Sequence, residues 1–117
     1  MIILVTGGRD FTAKQMIWDA LDKLHVTGLV EGEARGVDTL CRMWAESRGV
    51  TVYAHPADWD KYGKKAGILR NAAMLLNNPP PVYCVAFPGG TGTADMVRRA
   101  TQAGLVVWRP YGANSGS

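Results

Sequence analysis

The strongest constraint on the fold is the regular alternation of short apolar runs with longer helical segments. The apolar runs are predicted strands, at residues 2–5, 29–31, 50–54, 82–87 and 105–108. Helices are predicted between them, at residues 12–25, 37–48, 66–76 and 93–103. Strands that alternate with helices pair in parallel, and the helices cover both faces of the sheet. The sequence therefore predicts an α/β, three-layer Rossmann-like domain with a mostly parallel five-stranded sheet.

The pattern also predicts helix caps and inward faces. In the first helix Thr12 is the expected N-cap, and the expected inward residues are Met16, Ile17, Ala20, Leu21 and Leu24. In the second helix Gly49 is the expected C-cap, and the expected inward residues are Leu40, Cys41, Trp44 and Ala45.

Length and composition limit the organisation of the chain. With 117 residues, 47% of them apolar, it can bury the core of one domain. Residues 1–111 are predicted to form that domain and residues 112–117 a flexible, small and polar tail. No stretch has the length and apolarity of a membrane span, and the N-terminal run lacks the basic region of a signal peptide. We therefore expect a cytoplasmic protein without membrane contact.

Cysteine spacing and net charge limit the kinds of ligand and partner that we expect the chain to bind. Cys41 and Cys84 lie far apart without metal-ligand spacing, so we expect them to be buried apolar residues and expect no metal. We also expect no cofactor. The net charge of +3 is compatible with an anionic small molecule, while the basic residues are too scattered to favour nucleic acid. A homodimer is an open alternative. Its candidate apolar surface consists of Trp18, Met43 and Trp44.

The unusual residues of the chain are concentrated in four loops that follow predicted strands, at residues 7–11, 32–38, 55–70 and 88–95. A parallel sheet binds its ligands beyond the carboxyl ends of the strands, near the point where the strand order reverses. The sequence therefore predicts a binding site where these loops meet.

One of these loops, Pro88-Gly89-Gly90-Thr91-Gly92-Thr93, follows a buried strand and opens a helix. Glycines allow the backbone to approach a ligand, and the free N–H groups of a helix N-terminus attract an anion. The two threonines add hydroxyl donors. No Lys-Ser/Thr follows the glycines, so this is not a Walker loop. We expect the loop to hold a phosphate; the alternative is a purely structural turn.

Arginines in the neighbouring loops are candidate anion ligands. Arg9 follows Gly8 after the first strand and could pair with a phosphate or with Asp10. Arg35 lies just before a helix N-terminus, where a cation is unfavourable unless an anion is nearby. Asp38, in the first turn of that helix, fits ordinary helix-dipole stabilisation.

Residues 58–67 mix aromatic rings, carboxylates and amines. Trp59 could stack on a base and Asp58 could bind sugar hydroxyls, although a solvated loop has a similar composition. Arg70 and Asn71 come one turn later and are expected to reach the same crevice.

Taken together, these motifs resemble the SLOG superfamily of Rossmannoid proteins, which includes the DNA-processing protein DprA and the Lonely Guy phosphoribohydrolases. The resemblance is greatest to the YspA-like branch, common in bacteria and phages, and extends over nearly the whole chain up to Trp108. The motifs that carry it are Val5-Thr6-Gly7-Gly8-Arg9-Asp10-Phe11, Gly32-Glu33-Ala34-Arg35-Gly36-Val37-Asp38, Ala57-Asp58-Trp59, Tyr62-Gly63-Lys64-Lys65-Ala66-Gly67, Arg70-Asn71 with Met74, and Phe87-Pro88-Gly89-Gly90-Thr91-Gly92-Thr93-Ala94-Asp95.

The resemblance implies a nucleotide or nucleotide-derived ligand. For the Lonely Guy enzymes it also implies N-glycosidic cleavage, with a glutamate in the pattern PGGxGTxxE supporting the cationic sugar. That position is Met96 in this chain, and a thioether cannot stabilise an oxocarbenium ion. Asp95 is adjacent, but one residue along a helix is a rotation of about 100°. Other acids near the strand ends are Glu33, Asp38 and Asp58.

Three functions follow as hypotheses. The leading one is a protein that binds a nucleotide-type ligand through the GGTGT loop and senses or sequesters it. The first alternative is a nucleoside 5'-monophosphate N-glycosidase that uses Asp95 or Asp58. The second is a nucleic-acid-handling module similar to DprA, for which the weak net charge gives little support.

Overall fold

The fold was determined as a computed structural model that describes residues 1–112; residues 113–117, most of the predicted tail, lie outside the described part. The strands are β1 (Ile2–Thr6), β2 (Gly28–Glu31), β3 (Thr51–Ala54), β4 (Tyr83–Ala86) and β5 (Val106–Trp108). The helices are α1 (Lys14–Asp22), α2 (Val37–Arg48), α3 (Trp59–Tyr62), α4 (Ala66–Leu75) and α5 (Thr91–Gln102). A single 3-10 turn, Gly63–Lys65, joins α3 to α4.

The five strands form one parallel sheet in the order β3-β2-β1-β4-β5. The chain runs outward from β1 through β2 to β3 and then crosses back to place β4 on the other side of β1. The strand order therefore reverses between β1 and β4, which is where a doubly wound sheet opens a crevice at its carboxyl edge. The predicted Rossmann-like architecture is confirmed, with every strand pair parallel.

Apolar side chains fill a core on each face of the sheet. On one face Ile3 and Val5 of β1 pack with residues of α1 and α2, among them Leu21 and Trp44. On the other face Leu4 packs with residues of α4 and α5. Alternate residues of a strand point to opposite faces, so β1 contributes to both cores. Helices cover both faces, and the loops at the carboxyl edge are left free to form a site.

Local details differ from the sequence pattern at the helix ends. Helix α1 begins at Lys14, its N-cap is Ala13 and not Thr12, and Met16 is exposed where burial was predicted. The short α1 turns only three residues fully inward, Ile17, Ala20 and Leu21. Helix α2 has the predicted limits and ends at Gly49 in the left-handed conformation, with φ of 69°. Helix α5 begins at Thr91, two residues before its predicted start, because Gly90 already occupies the N-cap position.

The apolar surface predicted for a dimer is largely covered. Trp44 is buried, and Trp18 is half-buried with its indole N–H donated to the Leu40 carbonyl oxygen. The guanidinium of Arg48 lies over both rings, at 5.2 Å from the Trp18 centroid and 5.9 Å from the Trp44 centroid. Of the three proposed residues only Met43 is exposed.

No helix within residues 1–112 is long and apolar enough to cross a membrane.

Candidate functional site

The loops after β1 and β4 are locked together at the switch point. The Gly8 amide donates to the Pro88 carbonyl oxygen at 2.8 Å. A Cβ on Gly8 would lie 3.0 Å from the Gly89 Cα, and a Cβ on Gly89 would overlap the Thr93 hydroxyl. The glycines of the β4–α5 loop were predicted to let the backbone approach a ligand; at Gly8 and Gly89 the missing side chain lets the two loops approach each other.

The start of α5 is open to the crevice. Apart from the neighbouring backbone, no atom of residues 1–112 lies within 4 Å of the position that a Cβ would take at Gly90 or Gly92. The first amide of the helix with an internal partner is that of Ala94, which donates to the Gly90 carbonyl oxygen at 3.0 Å. Within residues 1–112 the amides of Thr91, Gly92 and Thr93 have no acceptor. Free amides at a helix N-terminus attract an anion, and the helix dipole adds to that attraction.

These amides face a cleft of about 750 Å³ at the carboxyl edge of the sheet. Ten of the residues singled out from the sequence line it: Gly8, Arg9, Trp59, Arg70, Asn71, Gly90, Thr91, Gly92, Thr93 and Asp95. Asp38, Lys64, Met74 and Arg98 line it as well. Gly89, Arg35 and Asp58 are not among the lining residues. The expected convergence of four loops is thus present, with three residues placed elsewhere.

Arg70 is held rigidly at the side of the cleft. Its Nη1 donates to the Gly32 carbonyl oxygen at 2.6 Å and its Nε to the Asn71 Oδ1 at 3.1 Å. A Cβ on Gly32 would overlap the guanidinium, so this position must be glycine for Arg70 to lie there. Burial lowers the pKa of Arg70 and nearby Asp38 opposes the shift. An arginine has five N–H groups, so those not used in these two bonds are available to a ligand.

Asp95 is on the cleft and Met96 is not. Met96 is fully buried in the core between α5 and the sheet, so the position of the Lonely Guy glutamate is a packing position here. Asp95 accepts from Asn71 Nδ2 at 3.0 Å, from Arg99 Nε at 2.9 Å and from Arg98. Partial burial raises the pKa of Asp95, but the hydrogen bonds from Asn71 and Arg99 outweigh it and leave that pKa lowered. Asp95 is therefore an ionised carboxylate whose charge two arginines already balance.

Two buried carboxylates lie under the loop after β2. Asp38 accepts the Gly32 amide at 3.1 Å and the Ala34 amide at 3.2 Å, and burial raises its pKa. Glu31 is fully buried; its Oε1 accepts the Glu33 amide at 2.8 Å, while its Oε2 has no partner within residues 1–112. Burial raises the pKa of Glu31 to about 7. Sequence analysis missed Glu31, although an acid at the end of an otherwise apolar strand was a signal.

The start of α2 differs from that of α5 in the groups that surround it. The Asp38 carboxylate accepts hydrogen bonds from two amides of the preceding loop, and the Val37 amide donates to the Gly8 carbonyl oxygen at 3.3 Å. Arg35, expected to face an anion here, is exposed and pairs with Asp10 at 3.2 Å. It lines a smaller pocket of about 500 Å³ beside the cleft. The start of α2 thus has its first amide bonded to Gly8 and a carboxylate in its first turn. The start of α5 has three amides without an acceptor within residues 1–112 and no acid in its first turn, so it is the better anion site.

Trp59 and Asp58 have different roles in the same segment. Trp59 is half-exposed at the cleft, and the Arg9 guanidinium lies 5.6 Å from the centroid of its ring. Asp58 is the N-cap of α3, with its carboxylate accepting the Lys61 amide at 3.1 Å. Asp58 lines neither pocket.

Within residues 1–112 there is no group of three or more His, Cys, Asp or Glu side chains that could hold a metal ion.

Comparisons with known proteins agree with this architecture. A family model described as "YspA, cpYpsA-related SLOG family" matches residues 1–62, more than half of the chain. The chain belongs to this SLOG family. It is also similar to the "Gene 61 protein" of Mycobacterium phage D29, with 42% identity in an alignment 117 positions long that covers 90% of this chain and 92% of the phage protein. No solved structure matches the chain significantly.

SLOG membership suggests a ligand related to nucleotides. The matched residues include the loops after β1 and β2 and reach Trp59, so they contain one wall of the cleft. The start of α5 lies beyond residue 62, outside the matched segment. The family match therefore does not cover the open amides at the start of α5.

Proposed function

We propose that this protein binds a nucleotide or nucleotide-derived ligand with its phosphate at the start of α5, and that it senses or sequesters that ligand. The observation that carries the proposal is the set of free amides of Thr91, Gly92 and Thr93 opening into the cleft. An anion there gains hydrogen bonds and the helix dipole without displacing any internal acceptor.

The charges around these amides favour the same ligand. Arg9, Lys64, Arg70 and Arg98 line the cleft. The three acids that line it are already engaged: Asp10 pairs with Arg35, Asp38 accepts two backbone amides, and Asp95 accepts from two arginines and Asn71. The cleft therefore keeps cationic donors for an anionic ligand. Its volume of about 750 Å³ accommodates a sugar and a base beside the phosphate.

The test is isothermal titration calorimetry with AMP, GMP, CMP, UMP, ribose 5-phosphate and inorganic phosphate. We expect phosphate-bearing compounds to bind, and Gly90→Val to weaken their binding at least tenfold because its side chain would project beside the free amides. Ala103→Val, at the exposed other end of α5, is the matched control and should bind as the wild type does. Unchanged affinity in Gly90→Val would place the phosphate elsewhere.

A second candidate function is N-glycosidic cleavage of a nucleoside monophosphate, because the ionised Asp95 faces the cleft. An ionised carboxylate can stabilise a developing cationic sugar. Its pairing with Arg98 and Arg99 reduces that capacity, so binding without chemistry is the better-supported function. The decisive assay is release of free base from the four monophosphates by chromatography. Release that Asp95→Asn abolishes would establish the enzyme, and the absence of release from monophosphates that bind in the calorimetry would support the binder.

A further inference from the structure

Arg9 and Trp59 form a cation–π pair between two pockets. The Arg9 Cζ lies 5.6 Å from the centroid of the Trp59 ring, and nearly half of Trp59 (47%) is exposed. Both residues line the cleft of about 750 Å³ and the smaller pocket of about 500 Å³. The smaller pocket adds Pro56 and Ala57, which are small apolar neighbours of the ring. The ring is thus reachable by a flat group from either pocket.

The position of Arg9 along the chain links this pair to the start of α5. Arg9 follows Gly8, whose amide is bonded to Pro88 at the beginning of the β4–α5 loop. Its side chain therefore starts next to the proposed phosphate site, although its guanidinium lies on the Trp59 ring. A surface cation–π contact is weak, so a ligand can replace it at small cost.

We propose that a nucleobase displaces the Arg9 guanidinium from the Trp59 ring and that the released guanidinium pairs with the phosphate of the same ligand. This inference rests on the proposed function and names its ligand class, a nucleoside monophosphate selected over a sugar phosphate. The ring attracts the π-face of a base as it attracts a cation, but Arg9 and the base compete for it. Base recognition and phosphate binding are therefore coupled through Arg9.

The experiment compares three kinds of probe on the intact protein: the four nucleoside monophosphates, ribose 5-phosphate, and the free nucleoside of the monophosphate that binds most tightly. Dissociation constants come from calorimetry or, where binding is weak, from NMR titration. In the wild type the monophosphate should bind at least about fivefold more tightly than ribose 5-phosphate, the increment expected of base stacking. Trp59→Leu should abolish this difference, and Trp59→Phe, which keeps an aromatic face, should retain part of it.

Arg9→Leu is the more decisive variant, because the affinity for the nucleoside and the affinity for the monophosphate should change in opposite directions. The nucleoside should bind about two- to fivefold more tightly, since its competitor for the ring is gone. The monophosphate should bind more weakly, since its phosphate loses a cation. Lys14→Leu is the matched control: Lys14 lies 4.5 Å from the Trp18 centroid, a cation–π pair outside both pockets, so this variant should change neither affinity.

The outcomes separate this inference from the function on which it rests. The inference is overturned if the wild type binds monophosphates and ribose 5-phosphate equally, if Trp59→Leu keeps the difference, or if Arg9→Leu weakens nucleoside binding. In each of those cases phosphate binding at α5 stands. If no phosphate-bearing probe binds the wild type, the proposed function itself fails. Thermal unfolding of every variant checks that the fold is intact.

Discussion

The side-chain amide of Asn71 lies 3.0 Å from the carboxylate of Asp95 and ties helix α4 to helix α5 at the floor of the cleft. The same amide donates to the Gly92 carbonyl oxygen at 3.2 Å, within the first turn of α5. Asn71 is buried and therefore keeps a fixed position. Asn71 therefore bonds α4 to the first two turns of α5, beside the proposed phosphate site.

Asp95→Asn should destabilise the protein by about 1 kcal/mol or more at neutral pH, because the bonds from Arg98 and Arg99 lose a charged acceptor. The pKa of Asp95 is lowered in the folded state, so its stabilising effect is present above the unfolded value near 3.8 and is lost as the pH falls through the folded value. Urea unfolding at several pH values should therefore show the two proteins converging below about pH 4. The exposed Asp60→Asn is the control; a constant gap down to pH 2 would contradict this account.

Arg70→Ala should weaken binding of the monophosphates at least tenfold without unfolding the domain, because the guanidinium offers its remaining N–H groups to the cleft. Arg70→Lys should not restore affinity, since an ammonium group cannot make both the Gly32 bond and a planar contact with phosphate. Arg109→Ala removes an exposed cation that does not line the cleft and serves as the control. Calorimetry measures the affinities. Normal binding by Arg70→Ala would remove this residue from the site.

Gly8→Ala should cost about 1–3 kcal/mol of unfolding free energy, because the added Cβ would press on the Gly89 backbone at 3.0 Å. Gly92→Ala adds the same methyl group where no atom lies within 4 Å and should leave stability unchanged or slightly raised. The comparison separates glycines that permit loop contact from glycines that leave space for a ligand. Equal stabilities of the two variants, measured by urea unfolding, would show that the loops adapt freely.

Glu31→Gln should change the pH dependence of stability. A folded pKa of about 7 against an unfolded value of 4.5 means that the folded state holds this proton more tightly, so wild-type stability falls as the pH rises from about 4.5 to 7. The full loss is about 3 kcal/mol above pH 7. Glutamine carries no charge, so the variant should be less sensitive to pH and more stable than the wild type at pH 8. Exposed Glu46→Gln is the control, and identical pH profiles for wild type and Glu31→Gln would refute the prediction.

Sequence reasoning succeeded where local chemistry decides the outcome. The alternation of apolar runs predicted every strand and the parallel sheet, and Gly49 predicted the end of α2 because few other residues adopt its positive φ. The positions of individual site residues were harder to predict from the sequence. Arg35 was expected to face the ligand, but Asp10, twenty-five positions earlier in the chain, pairs with it. Such long-range partners leave no trace in local spacing.

The sequence by itself determined the doubly wound sheet and the loops that meet at its carboxyl edge, because hydrophobic periodicity and glycine turns are properties of neighbouring residues. Only the tertiary structure decided which helix start is the better anion site. At the start of α2 the Val37 amide is bonded to Gly8 and Asp38 places a carboxylate in the first turn, while within residues 1–112 the amides of Thr91, Gly92 and Thr93 have no acceptor. It also decided that Asp95, and not Met96, faces the cleft. Both outcomes depend on how whole elements pack, because packing fixes the rotation of a helix about its axis and the hydrogen-bond acceptors near its first amides.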